Sequence, residues 1–402
     1  MTTGLGALVQ QPLWRRWAAA SFLGRLPMTM TLLALILVGR EATGSLAIGA
    51  QLAGVATATA GLAAPLRGRQ LDQAGLRDGL RRAAFTTAGV LLVIAGAVHV
   101  SVPTVLLYVL AALLGGSFSA LSGGFRALLV PVVSADDLPR ANTLEAVFIE
   151  VAFVAGPSLA GIFALVVGPV GVLVLMAAAA VGSGIITGRL PSMTPHVGAA
   201  PAAPWRSRGA PPVYALALLI GACLGLLESA LPARAEELGM AAAAAGPLLA
   251  LTAAGSAVGG LFAATRRDQR HHQIRVAVAL LVALGVLLVG LALADAVLPL
   301  GIMLFVVGAP IAPLNAVAAL RLQDRISPAR LGEGFAVFTA AIMVGAGIGQ
   351  SITGQLLDTV GPQVLLVGSA AVPVVGAMVV SMAMLHRRRR VDVEAPAQSL
   401  RG

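Results

Sequence analysis

Long apolar runs alternate with short polar breaks along the whole chain. Twelve runs stand out, at about 17–38, 46–66, 82–102, 104–126, 142–167, 169–188, 212–232, 244–264, 274–294, 298–320, 334–356 and 362–385. Each is close to the roughly 20 residues that a helix needs to cross a bilayer core. Gly and Pro recur inside them, which membrane helices tolerate better than soluble ones. The pattern predicts an all-α membrane protein of twelve transmembrane helices, called spans 1–12 here.

Composition supports the pattern. The 402 residues are 58% hydrophobic and 11% charged, with a mean hydropathy of +0.92. A soluble domain carries about 25% charged residues, so this chain has too few to cover a wetted surface. Its natural partner is the lipid bilayer. No cleavable signal peptide is expected, because "WRRW" at 14–17 leads straight into a run long enough to span.

Charge then orients the spans. The net charge is +10, and every Lys/Arg position is arginine. With a cytoplasmic N-terminus, all but three of the 27 fall in cytoplasmic loops, span ends or tails, as the positive-inside rule requires. The exceptions are Arg25, within span 1, and Arg40 and Arg234, on the outer side. Both termini are therefore expected in the cytoplasm. The basic excess reads as topology, so no nucleic-acid partner is expected. Arg387–Arg390 reads as a tail anchor with some attraction to anionic lipid.

Several chemistries are excluded. Without lysine there is no P-loop, and no H-E-x-x-H occurs, so neither ATP-driven transport by this chain nor an enzyme is expected. The single cysteine, Cys223, allows no internal disulfide and no cysteine cluster. His271 and His272 read as part of a solvated charged loop. No metal and no cofactor is predicted.

The runs divide into two sets of six. The longest polar connection, 189–212, is rich in Pro and Ala and reads as a flexible linker. The expected layout is a six-helix bundle over 1–190, a cytoplasmic linker at 191–211, a second bundle over 212–386 and a tail at 387–402. The halves also repeat. "AGPSLAGIFALVVGP" at 155–169 aligns with "IGQSITGQLLDTVGP" at 348–362, placing Gly156, Ser158, Gly161, Gly168 and Pro169 on Gly349, Ser351, Gly354, Gly361 and Pro362. Duplicated halves are a sequence sign of a secondary transporter.

Between spans 2 and 3 lies "PLRGRQLDQAGLRDGLRR", a burst of charge in an apolar chain. Gly68-x-x-x-Asp72-x-x-Gly75-x-Arg77 resembles motif A of the major facilitator superfamily. Gln73 and Leu76 stand where basic residues are usual. The resemblance implies the fold of that superfamily, two pseudo-symmetric six-helix bundles, and a cytoplasmic latch between them. In that latch Gly68 allows close helix approach and Asp72 faces the start of span 11, near Glu333–Phe335. A second stretch, Gly156, Pro157 and Gly161 in "GPSLAG", resembles the end of motif C, which the family associates with antiporters. Small-residue packing explains the same residues. Ala111 or Ala112 stands where many proton antiporters of the family carry an arginine in span 4. The resemblance is to a drug:proton antiporter-like member. All-arginine usage with abundant Ala and Gly suggests a bacterial genome, hence a bacterial cytoplasmic membrane.

Charges inside spans are costly, so each is a site hypothesis. Arg25 lies roughly 12 Å into span 1 at 1.5 Å per residue, and Glu150 lies at a similar depth in span 5. The two are expected to pair, either as a static bond or as a proton-coupling device. Glu228 in span 7 is a second candidate, for a proton or a cationic group. Gln51, Asn315 and Gln350 are softer polar candidates for the cavity, and "GAPIAPLNA" at 308–316 should bend span 10. "NTLE", Asn142–Glu145, has the spacing of a capping box, which makes Glu145 structural at the start of span 5. Arg126 should snorkel or pair with Asp72, Asp136 or Asp137. The leading expectation is a proton-coupled, monomeric multidrug-type exporter of a small amphipathic molecule. The alternative is an uptake symporter or uniporter for a specific metabolite, and the third reading is a non-transporting receptor or scaffold.

Overall fold

The computed structural model describes residues 5–119, 121–192, 210–265, 273–326 and 331–398. The linker at 193–209, His271, His272 and the side chains of Asp72 and of the tail lie outside the described residues. All regular structure among the described residues is helical.

Ten helices are long and apolar enough to cross a membrane. Two of these are double length. Leu138–Thr187 has 50 residues, about 75 Å at 1.5 Å per residue, which is far more than a bilayer takes. It bends at Gly168, with φ 76 and ψ 167. The second doubled helix, Leu331–Gln398, bends at Gly361 with φ 78 and ψ 165. Both glycines sit in the left-handed region, which other residues enter only at a cost. Each precedes the proline of the repeated Gly-Pro pair, so one local sequence makes the same corner in each half. Dividing these two helices yields the twelve spans expected.

The spans are α1 (Pro12–Thr43), α2 (Leu46–Ala74), α3 (Leu76–His99), α4 (Thr104–Leu128), α5 and α6 (the arms of Leu138–Thr187), α7 (Pro211–Glu237), α8 (Ala245–Ala264), α9 (Gln273–Ala292), α10 (Val297–Gln323), and α11 and α12 (the arms of Leu331–Gln398). A short helix, Leu5–Gln10, precedes α1. Sequence reading starts α1 five residues late. The missing turn carries Trp14, which is buried and stacks at 5.7 Å on Phe148 of α5. The proline-rich stretch of α10 breaks the helix between Gly308 and Ile311, as expected.

Twelve crossings put both chain ends on one face, here the terminal face. The halves are not equally joined on the two faces. One continuous apolar core runs through the N-terminal half and takes in residues of the C-terminal half near the opposite face, such as Leu227, Leu231, Leu248, Leu291 and Leu366. The terminal-face part of the C-terminal half has a separate core around Tyr214, Leu314, Leu322 and Phe338. The halves are thus fused toward the opposite face and have independent cores toward the terminal face.

Small residues make the fused part. A Cβ on Gly161 of α5 would come within 2.3 Å of the Ala243 carbonyl and 3.0 Å of Gly246 in the α8 region. Gly354 meets α2 in the same way, at the Ala47 carbonyl and Gln51. Such contacts need glycine, because any side chain would push the helices apart. Motif C-like Gly156 packs on Thr29 of α1. These residues therefore serve as packing surfaces.

Candidate functional site

Three charged residues come together inside the N-terminal half. Arg25 of α1 donates from Nη2 to Glu145 Oε1 at 2.7 Å. Arg126 of α4 donates from Nε to the other oxygen, Oε2, also at 2.7 Å. Arg25 is 2% exposed and Glu145 0% exposed. Arg25 also donates to Ser21 Oγ, one turn earlier on α1. The backbone beside Arg126 is fixed by Trp17, whose indole donates to the Phe125 carbonyl at 2.9 Å.

This corrects two expectations. The carboxylate that meets Arg25 is Glu145, not Glu150, and Glu145 is not a cap. α5 begins at Leu138 with Pro139 in its first turn, seven residues before Glu145, so the capping spacing falls inside the helix. The two glutamates lie about 7.5 Å apart along the helix. They differ by five residues, about 140° around a helix at 3.6 residues per turn, and only Glu145 faces α1. Glu150 is exposed and makes no ion pair among the described residues. Arg126 pairs with Glu145 rather than Asp136 or Asp137; Asp137 pairs with Arg140 at 3.3 Å.

In the C-terminal half, Glu228 lies in mid-α7 and is half-buried. It has no hydrogen-bond or ion-pair partner among the described residues. Gln350 of α11 is 2% exposed, and its Oε1 is buried without a donor. Asn315 of α10 likewise has a buried Oδ1 without a donor. Close packing sets the register of α7 and α11. A Cβ on Gly349 would lie 2.8 Å from the Leu226 nitrogen. Its nearest contact is the Ala222 carbonyl at 2.3 Å, so on these parallel helices Glu228 lies about one turn further toward the opposite face than Gln350.

Gln51 does not sit free in a cavity. Its Nε2 donates to the Gly354 carbonyl of α11 at 2.8 Å, and its Oε1 accepts from the Tyr108 hydroxyl. It clasps the two halves. Arg40, at the end of α1, pairs with Glu236, at the end of α7. Arg234 pairs with Glu237 and donates to the Ala294 carbonyl at 2.6 Å. Both arginines that break the topological bias are thus held by polar partners on the opposite face. A cavity of about 420 Å³ opens there, lined by Arg40, Ser45, Glu236, Glu237, Leu357 and Asp358 among others.

The Asp72 side chain, central to the expected latch, lies outside the described residues. A Cβ on Gly68 would find nothing within 4 Å, so α2 makes no close approach there. Its close approaches to α11 are at Gly54 and Gly61. Gly75 has φ 81 and turns the chain from α2 into α3. Arg67 donates to the Gly116 carbonyl of α4 at 2.9 Å, and Arg77 pairs with Asp78 at 3.3 Å. Both bonds lie within the N-terminal half, which agrees with the separate cores on the terminal face.

Two pseudo-symmetric bundles that meet on one face and enclose mid-membrane charges define a secondary transporter, not an enzyme. The Major Facilitator Superfamily model matches residues 17–326 and 215–401, and the chain belongs to that superfamily. Solved structures share the fold. A point mutant of the nucleoside transporter NupG superposes with a TM-score of 0.76 at 15% identity, over 92% of this chain and 99% of that one. The POT family transporter PepTSo gives 0.74 at 11% identity, over 94% and 98%. The human organic anion transporter MFSD10 gives 0.63 at 15% identity, over 92% and 100%. No curated protein sequence matches this chain.

Proposed function

We propose that this transporter is a proton-coupled exporter of a small amphipathic, drug-like molecule, acting as a monomer in a bacterial cytoplasmic membrane with both termini inside. The observation that carries the reading is Glu228, a mid-span carboxylate with no partner among the described residues. A charged group kept inside a membrane bundle without a partner costs several kcal/mol, roughly, and persists where it does work. Glu228 is free to take and release a proton, whereas Glu145 is held by two guanidinium groups. Glu150 is the second proton candidate, exposed on α5. Arg25 serves by fixing Glu145.

Asn315 and Gln350 supply buried acceptors for donors on the substrate. Gln51 acts as a clasp that opens when the halves exchange faces. The terminal face is then the cytoplasmic one, and a latch of Gly68, Asp72, Gly75 and Arg77 closes on it in the alternate state. A proton moved through 100 mV carries about 2.3 kcal/mol, enough for nearly fiftyfold accumulation. The two donor-less amide oxygens also favour a second reading, uptake of a specific metabolite rich in hydroxyl or amino groups.

The test is efflux of two preloaded dyes, ethidium and carboxyfluorescein, from cells expressing wild type, Glu228→Gln or Glu150→Gln, with and without a protonophore. Export predicts protonophore-sensitive loss of at least one dye from wild-type cells and none from Glu228→Gln. Wild-type cells that match empty cells, at normal membrane expression, would turn the search to uptake of a metabolite.

A further inference from the structure

We infer that Arg126 is an oxyanion-docking residue on the N-terminal half, and that the transported molecule is a small organic anion. The inference rests on the transport reading above and adds to it the charge of the substrate. The cluster holds one carboxylate between two guanidinium groups. Both oxygens of Glu145 are used, one by each arginine. Arg25 is enclosed, so the excess positive charge resides on Arg126, whose side chain is 60% exposed. Arg126 spends only Nε on Glu145. Its two terminal nitrogens make no hydrogen bond among the described residues.

A guanidinium fixed in this way is a pre-organised fork for carboxylate or phosphate. Little rotamer entropy remains to be lost when an anion docks. Among the described side chains, no other acid pairs with it. Glu150 lies about 140° around α5 from Glu145, and Asp137 is bonded to Arg140 and Ser134. α1 and α5, which frame the cluster, are also the helices whose far ends meet the C-terminal half, at Arg40–Glu236 and Gly161–Gly246. An anion at Arg126 therefore docks on α4 and is linked through Glu145 to α1 and α5, elements that the exchange of faces must move.

Trp17 supplies a built-in reporter, since its indole bonds to the carbonyl of the residue next to Arg126. The full-length protein in phosphatidylcholine nanodiscs is titrated with cyclohexanecarboxylate and, separately, with cyclohexylammonium. Ionic strength is held constant and tryptophan emission is followed. The expected result is a saturable change with the carboxylate alone, at least tenfold weaker in Arg126→Gln and intermediate in Arg126→Lys. Should Arg126→Gln not fold, the Arg126→Lys shift decides. An equal response to both ions, no saturable response to the carboxylate, or an unchanged affinity in the variants would overturn the inference. So would a response that disappears when phosphatidylglycerol is added to the discs, which would assign the oxyanion to a lipid headgroup. Binding is read without transport, so failure here and failure of proton-driven efflux are separate results.

Discussion

Arg40 at the end of α1 and Glu236 at the end of α7 form an ion pair that joins the two halves on the face opposite the termini. Neither residue is part of the apolar packing below it, where Gly161 and Gly354 bring the halves into backbone contact. The pair stands over that contact as a polar closure. Exposed ion pairs contribute at most about 1 kcal/mol, so this one biases the equilibrium between faces and does not lock it. Replacing Glu236 by Gln should favour opening of this face up to about fivefold. The check is labelling of Leu357→Cys, which lines the cavity and is buried, by a membrane-impermeant maleimide. The only natural cysteine, Cys223, is buried and gives a low background. A labelling rate unchanged by Glu236→Gln would count against the closure.

Glu145→Gln removes the carboxylate that two arginines share. Breaking a buried pair by deleting one partner costs roughly 3–5 kcal/mol, because the remaining charge is stranded. The expected outcome is a large fall in the thermal unfolding midpoint of the purified protein. Glu150→Gln, by contrast, should unfold close to wild type. Equal midpoints for the two variants would contradict the assignment of the Arg25 partner.

Gly161→Val should separate α5 from α8. The new side chain would meet the Ala243 carbonyl and the Gly246 backbone, neither of which can yield. Transport should fall at least tenfold while membrane expression persists, read as efflux per unit of protein. Gly89→Ala on α3, where a Cβ meets nothing within 4 Å, should transport normally and gain up to about 1 kcal/mol of stability from the better helix former.

Much of this architecture is legible in the chain. Apolar runs of span length dictate helices because lipid leaves the backbone no other partner. The Gly-Pro repeat announces the corners at Gly168 and Gly361, since one local sequence specifies one local backbone. The site is less legible. Pairing Arg25 with Glu150 rests on depth, and depth does not fix which side of a helix faces inward. Asn142–Glu145 copies the spacing of a cap, but Pro139 starts the helix earlier. Gln51 reads as a cavity residue in sequence, and only the approach of α2 to α11 reveals it as a clasp. The signal that could have singled out Glu145 is the count of nearby charge, since Arg25 within span 1 and Arg126 at the end of span 4 need a carboxylate between them.

The central claim is that Glu228 carries the coupling proton, and its most direct test separates coupling from movement of the halves. Wild type and Glu228→Gln are reconstituted in proteoliposomes with a transported dye. Gradient-free dye exchange and dye accumulation driven by an imposed pH gradient are measured side by side. The account predicts that Glu228→Gln keeps exchange within about twofold of wild type, since a glutamine fills the same space without a charge, and loses pH-driven accumulation. A variant that still accumulates dye against its gradient would contradict it.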